Sequence, residues 1–377
     1  MSDTSDEPIP AGYEALEARA KDRLPTDLYD YIAAGAGAEA TLRANREAFD
    51  RWRIVPRVLR NVRERDTSIE LFGEAFDSPL LLAPVANQAA LHAEAEAATA
   101  RAARSLDVPF VVTTGASRTL ETIADTLGDT PRWLQVHATT DRELLDRFVD
   151  RAEAAGYSAV MVTVDTTTMG FRERLADSDY DPRSDVGADA IANYRADSEF
   201  RSGLDVPVED DLDAAMARFK DLGRGADPVT WDTLDEIGDR TNLPLVVKGI
   251  VHPDDAERAA AHDAVDGLVV STHGGRQVDG AVAALDALDR VSRALDGRLP
   301  LLFDSGIRRG SDVFKALALG ADAVLLGRPY VYGLALRGAP GVETVVGNVL
   351  EAFDRTMALS GCPSIDAIGS DALAPIR

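Results

Sequence analysis

Cysteine is nearly missing from this 377-residue sequence, Cys362 being the only one. That excludes an intrachain disulfide framework and any cysteine-built zinc or iron–sulfur site, and no metal site is expected. Long apolar runs are missing too: none approaches the ~18 to 20 residues that cross a bilayer. Lysine is scarce, with Lys21, Lys220, Lys248 and Lys315 as the whole set, so arginine supplies most of the positive charge. Acidic residues number 64 against 40 basic ones, for a net charge of −24. That balance argues against an extended phosphate-binding surface for nucleic acid. The opening MSDTSDEPIP is acidic and polar, unlike a secretory leader, and predicts a cytoplasmic protein with a short loose tail.

What is present is a repeat. Eight short apolar segments follow residue 78: PLLLAPV (79–85), PFVVTTG (109–115), RWLQVH (132–137), AVMVTVD (159–165), PLVVKGI (244–250), GLVVSTH (267–273), PLLFDSG (300–306) and AVLLGRP (323–329). Near-continuous apolar runs of this length suit parallel strands buried on both faces. Alanine- and arginine-rich stretches of helical spacing, such as 92–106 and 141–156, lie between them, with Gly156, Gly320 and Pro109 as punctuation. Eight alternations predict an α/β chain closed as a (β/α)8 TIM barrel, one domain over 1–377. Residues 1–78 read as an N-terminal helical cap with two extended pieces, RIVPRVLR and TSIELFG. The long polar interval 171–229 reads as a mobile lid inserted after strand four.

In such barrels the chemistry gathers at the C-terminal strand ends, with phosphate after strands seven and eight. Strand seven runs into Gly306, Arg308, Arg309 and Gly310, and strand eight into Gly327 and Arg328, a pair of glycine–arginine turns able to cradle one phosphate monoester. The phosphate belongs either to the substrate or to a cofactor such as FMN. Lys248 ends an apolar run on strand five, where a cation is costly without an anion; it fits the N1/O2 edge of a reduced flavin, unless it is simply a lysine reaching solvent. Strand six ends in Ser271, Thr272, His273, Gly274, Gly275, Arg276 and Gln277. Histidine supplies a base near neutral pH, and arginine a planar fork for a carboxylate. Strand four adds Thr163, Asp165 and then Arg172, and an inward Asp165 would orient the histidine.

These residues resemble the FMN-dependent 2-hydroxy-acid oxidase and dehydrogenase family, from about Tyr13 to Ser370. The most specific run is VSTHGGRQVDGA; YDYIAAGA, TVDTTTMGFRER, PLVVKGI and DSGIRRGSDVFKALALGADAVLLGRP support it. The resemblance implies His273 as base with Asp165 as its partner, Arg276 and Arg172 on the substrate carboxylate, and Tyr31 and His137 as further substrate contacts. It implies FMN held by Pro84, Val85, Ala86, Thr113, Gln135, Thr163, Lys248 and Ser271, with its phosphate at Asp304, Gly306, Arg308, Gly327 and Arg328. A small lactate- or glycolate-like acid is the expected substrate, oxygen or another acceptor the electron sink, and a homo-oligomer the expected assembly.

The sequence departs from the family pattern at two places. Its Gln-x-Tyr is Gln135, Val136, His137 here, and the asparagine before the catalytic histidine is Thr272. DSGIRRG, RPYVYGLAL and NYRADSEFRS are closest to the lactate 2-monooxygenase branch, whereas Ala86 matches oxidases and dehydrogenases, so oxidative decarboxylation stays open. The motifs also leave room for a flavin-binding protein with little catalysis and for a type 2 isopentenyl-diphosphate isomerase. The acidic, lysine-poor surface resembles that of proteins from salt-loving archaea, in which salt screens self-repulsion.

Overall fold

The computed structural model describes residues 7–137, 141–178, 180–223 and 229–376. The loose tail expected at the N-terminus falls mostly on residues 1–6, outside that set. Eight parallel strands close into a barrel: β1 (Leu80–Leu82), β2 (Phe110–Thr113), β3 (Arg132–Val136), β4 (Ala159–Thr163), β5 (Leu245–Ile250), β6 (Gly267–Val270), β7 (Leu301–Phe303) and β8 (Ala323–Leu326). Closure is made by β8 on β1, with Val324, Leu325 and Leu326 opposite Leu80, Leu81 and Leu82. Most strands are shorter than their apolar runs, the residues beyond them leaving the ladder for the barrel mouth, whereas Leu245–Ile250 runs to the end of its own.

Alternation along the strands splits the core in two. Leu81, Val111, Trp133, Met161, Val246 and Val269 point inward and fill the barrel, while Leu80, Leu82, Phe110 and Leu134 point outward against the helices. Fully burying one such side chain stabilises the fold by roughly 1.5–3 kcal/mol. The surrounding helices start where the sequence supplies caps: the Thr119 hydroxyl accepts from the Thr122 N–H, and the Asp141 carboxylate from the Leu144 N–H.

The residues expected to form one N-terminal cap divide between the two ends of the barrel. An antiparallel hairpin, Ile69–Leu71 with Glu74–Phe76, closes the N-terminal end, where the rings of Phe72 and Phe76 lie 5.6 and 6.5 Å from that of Trp133. Helices Thr26–Ala33 and Ala40–Asp50 instead sit at the mouth. There the Ala36 N–H donates to the Gly275 carbonyl, and the Asp279 carboxylate accepts from the Ala38 and Ala40 N–H groups. The extended piece Trp52–Ile54 pairs antiparallel with Leu373–Pro375.

The interval 171–229 is not a long loop. Within its described residues it folds into short helices, among them Pro182–Val186, Ser198–Ser202 and Leu212–Gly223; residues 179 and 224–228 lie outside the described set. Polar groups anchor its middle. Asp197 is buried and pairs with Arg147 at 2.7 Å, and the buried Asn193 side chain accepts from the Leu120 N–H and donates to the Thr114 and Arg118 carbonyls. The Asp197–Arg147 pair and the Asn193 hydrogen bonds hold this acidic stretch against the barrel.

Candidate active site

At the C-terminal strand ends a cavity of about 290 Å³ opens. The expected base, substrate and flavin residues line it except Asp165 and Ser271, which stand one layer behind; of the residues expected at the phosphate, Arg309 and Gly310 lie outside it, Arg309 turned to Glu14 and Gly310 packed against the backbone of Phe353. The turn after β6 is the most constrained part of the wall. His273 has φ 53, a left-handed conformation that costs a non-glycine residue on the order of 1–3 kcal/mol and persists only when its surroundings fix it. Here they do: its N–H donates to the Ser271 hydroxyl at 3.0 Å, and the Ser305 hydroxyl accepts from the Thr272 and Gly274 N–H groups at 3.1 and 2.9 Å. Gly275, at φ 76, lets the backbone of Leu42 approach to where a β-carbon would stand 2.7 Å from it.

His273 Nδ1 lies 2.9 Å from Asp165 Oδ1, and Thr166 donates to the same carboxylate oxygen at 3.1 Å. A carboxylate at Nδ1 fixes the proton there and leaves Nε2 as the basic nitrogen. Burial by itself would raise the Asp165 carboxyl; Lys248 and the hydrogen bond with His273 outweigh it and hold the group down at about 2. Lys248 is buried, 3.1 Å from Asp304 Oδ2 and donating to the Ser271 hydroxyl at 2.8 Å. Burial works against its charge, but Asp304 and Asp165 raise its pKa above the ordinary lysine value. The lysine is therefore a fixed cation beside the cavity floor, not a side chain reaching solvent. Thr113, Gln135 and Thr163 complete that floor, with Gln135 donating to the Thr163 hydroxyl at 2.9 Å.

Across the cavity, the Arg276 and Arg172 guanidiniums lie 5.3 and 5.8 Å from the Tyr31 ring centre. Arg276 commits Nη1 to the carbonyls of Tyr31, Ile32 and Ala34, and Arg172 Nε is buried without a hydrogen-bond partner. Burial, then the neighbouring Arg172 and Arg328 cations, depress Arg276 below the ordinary arginine value; a guanidinium stays charged even so, and the crowding marks a place for an anion. Further along, Arg328 donates to the carbonyls of Ile32, Gly274 and Ala34. Arg308 lies over the Tyr13 ring at 4.5 Å and has a buried Nε with no partner. Gly306, at φ 125, admits the Asn45 carbonyl where a β-carbon would meet it at 2.8 Å.

The two departures from the family pattern have local accounts. Thr272 accepts a 2.8 Å hydrogen bond from Asn45 Nδ2, while Asn45 Oδ1 accepts from the Ala284 N–H. His137 stands with its ring 6.4 Å from that of His273. Although its edge is open to the cavity, the surrounding protein, and after it His273, push its pKa down to about 4, so it is neutral at neutral pH. Asn45, Thr166 and Ser305 carry no signal in the sequence, and Gln277 stands in the strand-six run without a role assigned to it. Gln277 donates to the Asp165 carbonyl and accepts from the Gly170 N–H; its place beside Arg276 in the motif was the one signal that pointed to it.

A family model of FMN-dependent dehydrogenases matches residues 20–375. The chain belongs to that family. This FMN-dependent oxidoreductase is 40% identical over 365 residues to an L-lactate oxidase of Lysinibacillus sphaericus (strain C3-41), covering 97% of this chain and 93% of the relative. It is 37% identical over 362 residues to 2-hydroxyacid oxidase 1 of Homo sapiens, covering 93% of each. A crystal structure of mandelate oxidase with (S)-4-hydroxymandelic acid matches with TM-score 0.85 and 37% identity, over 97% of this chain and 98% of that one. The cavity suits the cofactor. A buried cation at the floor fits the pyrimidine edge of a flavin, and the partnerless Arg308 Nε beside Gly306 and Gly327 fits its phosphate. Among the described residues no helix is long and apolar enough to cross a membrane.

Proposed function

We propose that this protein oxidises a 2-hydroxy acid to the 2-oxo acid. The observation that carries the reading is the His273–Asp165 pair facing two crowded arginines across one cavity. Bound FMN supplies the two-electron acceptor. Arg276 and Arg172 hold the carboxylate and fix the hydroxyl-bearing carbon in place, an effect of proximity and charge complementarity. His273 Nε2 takes a proton from the substrate, and the Asp165 carboxylate stabilises the imidazolium so formed. Tyr31 and neutral His137 hydrogen-bond the substrate near its hydroxyl, and Lys248 keeps positive charge beside the flavin's pyrimidine edge. Pro84, Val85, Ala86, Thr113, Gln135, Thr163 and Ser271 hold the ring, and Asp304, Gly306, Arg308, Gly327 and Arg328 the phosphate end. Leu28, Leu91, Met169 and Pro182 add an apolar rim that supports an acid with an apolar side chain.

The test is anaerobic bleaching of the flavin absorbance by a panel of 2-hydroxy acids, followed by readmitted oxygen and product analysis. In His273→Ala the flavin stays bound and the reduction rate falls by about 10²- to 10⁴-fold; near-normal reduction would sink the assignment. Electrons pass on to oxygen or another acceptor, and the protein works as a homo-oligomer, readings supported by the resemblance. Its acidic, lysine-poor composition supports a salt-rich habitat, and the expected outcome is a melting temperature that falls steadily as salt is withdrawn. A melting temperature indifferent to salt would count against it.

A further inference from the structure

Behind the wall formed by Pro84, Val85 and Ala86 lies a carboxyl that the proposed chemistry does not use. Glu96, in the first turn of helix Ala95–Leu106, is wholly buried. One of its oxygens accepts from the Gln88 N–H at 3.2 Å, and the other, Oε2, is buried with no partner. Gln88 in turn fixes the wall. Its side-chain amide donates to the Val85 carbonyl at 3.1 Å and to the Tyr330 hydroxyl at 3.3 Å, and that hydroxyl donates to the Ala83 carbonyl at 2.8 Å. Thr99 holds the amide oxygen of Gln88 at 2.6 Å. The carbonyls on both sides of Pro84 are thus pinned by a chain of buried groups that ends on Glu96.

A buried carboxylate with one oxygen unpartnered is an expensive arrangement, whereas a carboxylic acid in the same place leaves no uncompensated charge. We propose that Glu96 is a positioning residue that carries its proton in the working enzyme and, through Gln88, sets the flavin-facing wall of the cavity. The groups facing it from neighbouring elements are the Arg118 guanidinium and the Tyr330 hydroxyl; Glu94, which caps its helix, pairs with Arg101. Arg118 is itself engaged with Asp189 and the Ala93 carbonyl, so it does not neutralise a charge at Glu96. Burial raises the carboxyl to about 7, against the smaller opposing effects of the nearby Ser117, Glu96 and Gln88 backbone N–H groups and of the Arg118 charge. A pKa raised on folding favours the fold fully below the ordinary 4.5 and loses that contribution as pH rises through about 7. Ionisation in the neutral range therefore loosens the wall.

The proposal rests on the reading of Pro84–Ala86 as a flavin contact, and its test does not depend on turnover. Visible absorbance of the bound flavin and the melting temperature are followed against pH in the holoenzyme and in Glu96→Gln, which mimics the protonated acid. The wild type should show a spectral inflection near neutral pH and a melting temperature that drops through the same range; Glu96→Gln should keep the acid-side spectrum and kinetics and lose both pH effects. Glu96→Ala, which removes the contact to Gln88, should lower kcat by about 10- to 100-fold with a smaller change in KM, the signature of a displaced wall. An inflection that survives in Glu96→Gln, or a Glu96→Gln enzyme that loses flavin and activity, overturns the proposal. If Glu96→Ala does not accumulate as folded protein, the Glu96→Gln readouts decide alone. A wild type that shows the inflection but is reduced by no 2-hydroxy acid overturns the substrate reading and leaves this proposal standing.

Discussion

The two ends of the barrel use the same eight strands for opposite purposes. At the N-terminal end, Phe72, Phe76 and Trp133 pack ring against ring with inward aliphatic side chains, and the end is closed. At the C-terminal end the strands run out into a strained histidine, a buried lysine and three crowded guanidiniums. Tight apolar packing lowers the energy of the fold, while concentrated charge and a left-handed residue raise it and are tolerated only with support from hydroxyls and carboxylates. The difference teaches that the closed end supplies the stability against which the open end holds its strain.

Substitutions at the two ends should therefore separate in what they change. The largest effect is expected from Asp165→Asn, which removes the carboxylate charge beside His273 Nδ1; flavin reduction should slow by about 10²- to 10⁴-fold, as measured by stopped-flow absorbance. Its folded state also responds differently to acid. The depressed carboxyl contributes stability above its ordinary 3.8 that is lost as pH falls through about 2, so acid unfolding of the variant should show less of that pH dependence. Next comes Trp133→Ala at the closed end, expected to cost about 3–5 kcal/mol in denaturant unfolding, with the reduction rate per bound flavin nearly unchanged. A large kinetic defect there would break the division between the ends. The smallest is Ser305→Ala, which deprives two backbone N–H groups of their acceptor; a loss of about 1–3 kcal/mol in stability should be accompanied by a modest fall in the reduction rate as the His273 turn relaxes. An unchanged rate would show that Ser271 alone suffices to hold it.

The barrel was legible because strands buried on both faces leave uninterrupted apolar runs such as AVMVTVD and PLVVKGI. The same logic overextended them: Ser271 to His273 continue the run in composition but leave the ladder to form the turn. His273, Asp165, Lys248 and the arginines stood out because each is chemically odd at a strand end. Asn45 did not, since its partner Thr272 is 227 residues away and neither residue is unusual by itself. Ser305 carries no signal of its own in the sequence, its role lying in three-dimensional proximity to a turn on another strand. The interval 171–229 read as a loop because its helices are short and acidic; the buried pairing of Asp197 with Arg147 is a tertiary fact with no periodic signature.

The carbonyls of Ile32 and Ala34 are gripped by side chains at positions 276 and 328. A ribosome delivers the first pair early and the last arginine when most of the chain has already emerged, so the mouth cannot assemble progressively as the barrel grows. Flavin capture is then expected late in biogenesis, once Arg328 has reached the carbonyls of Ile32 and Ala34.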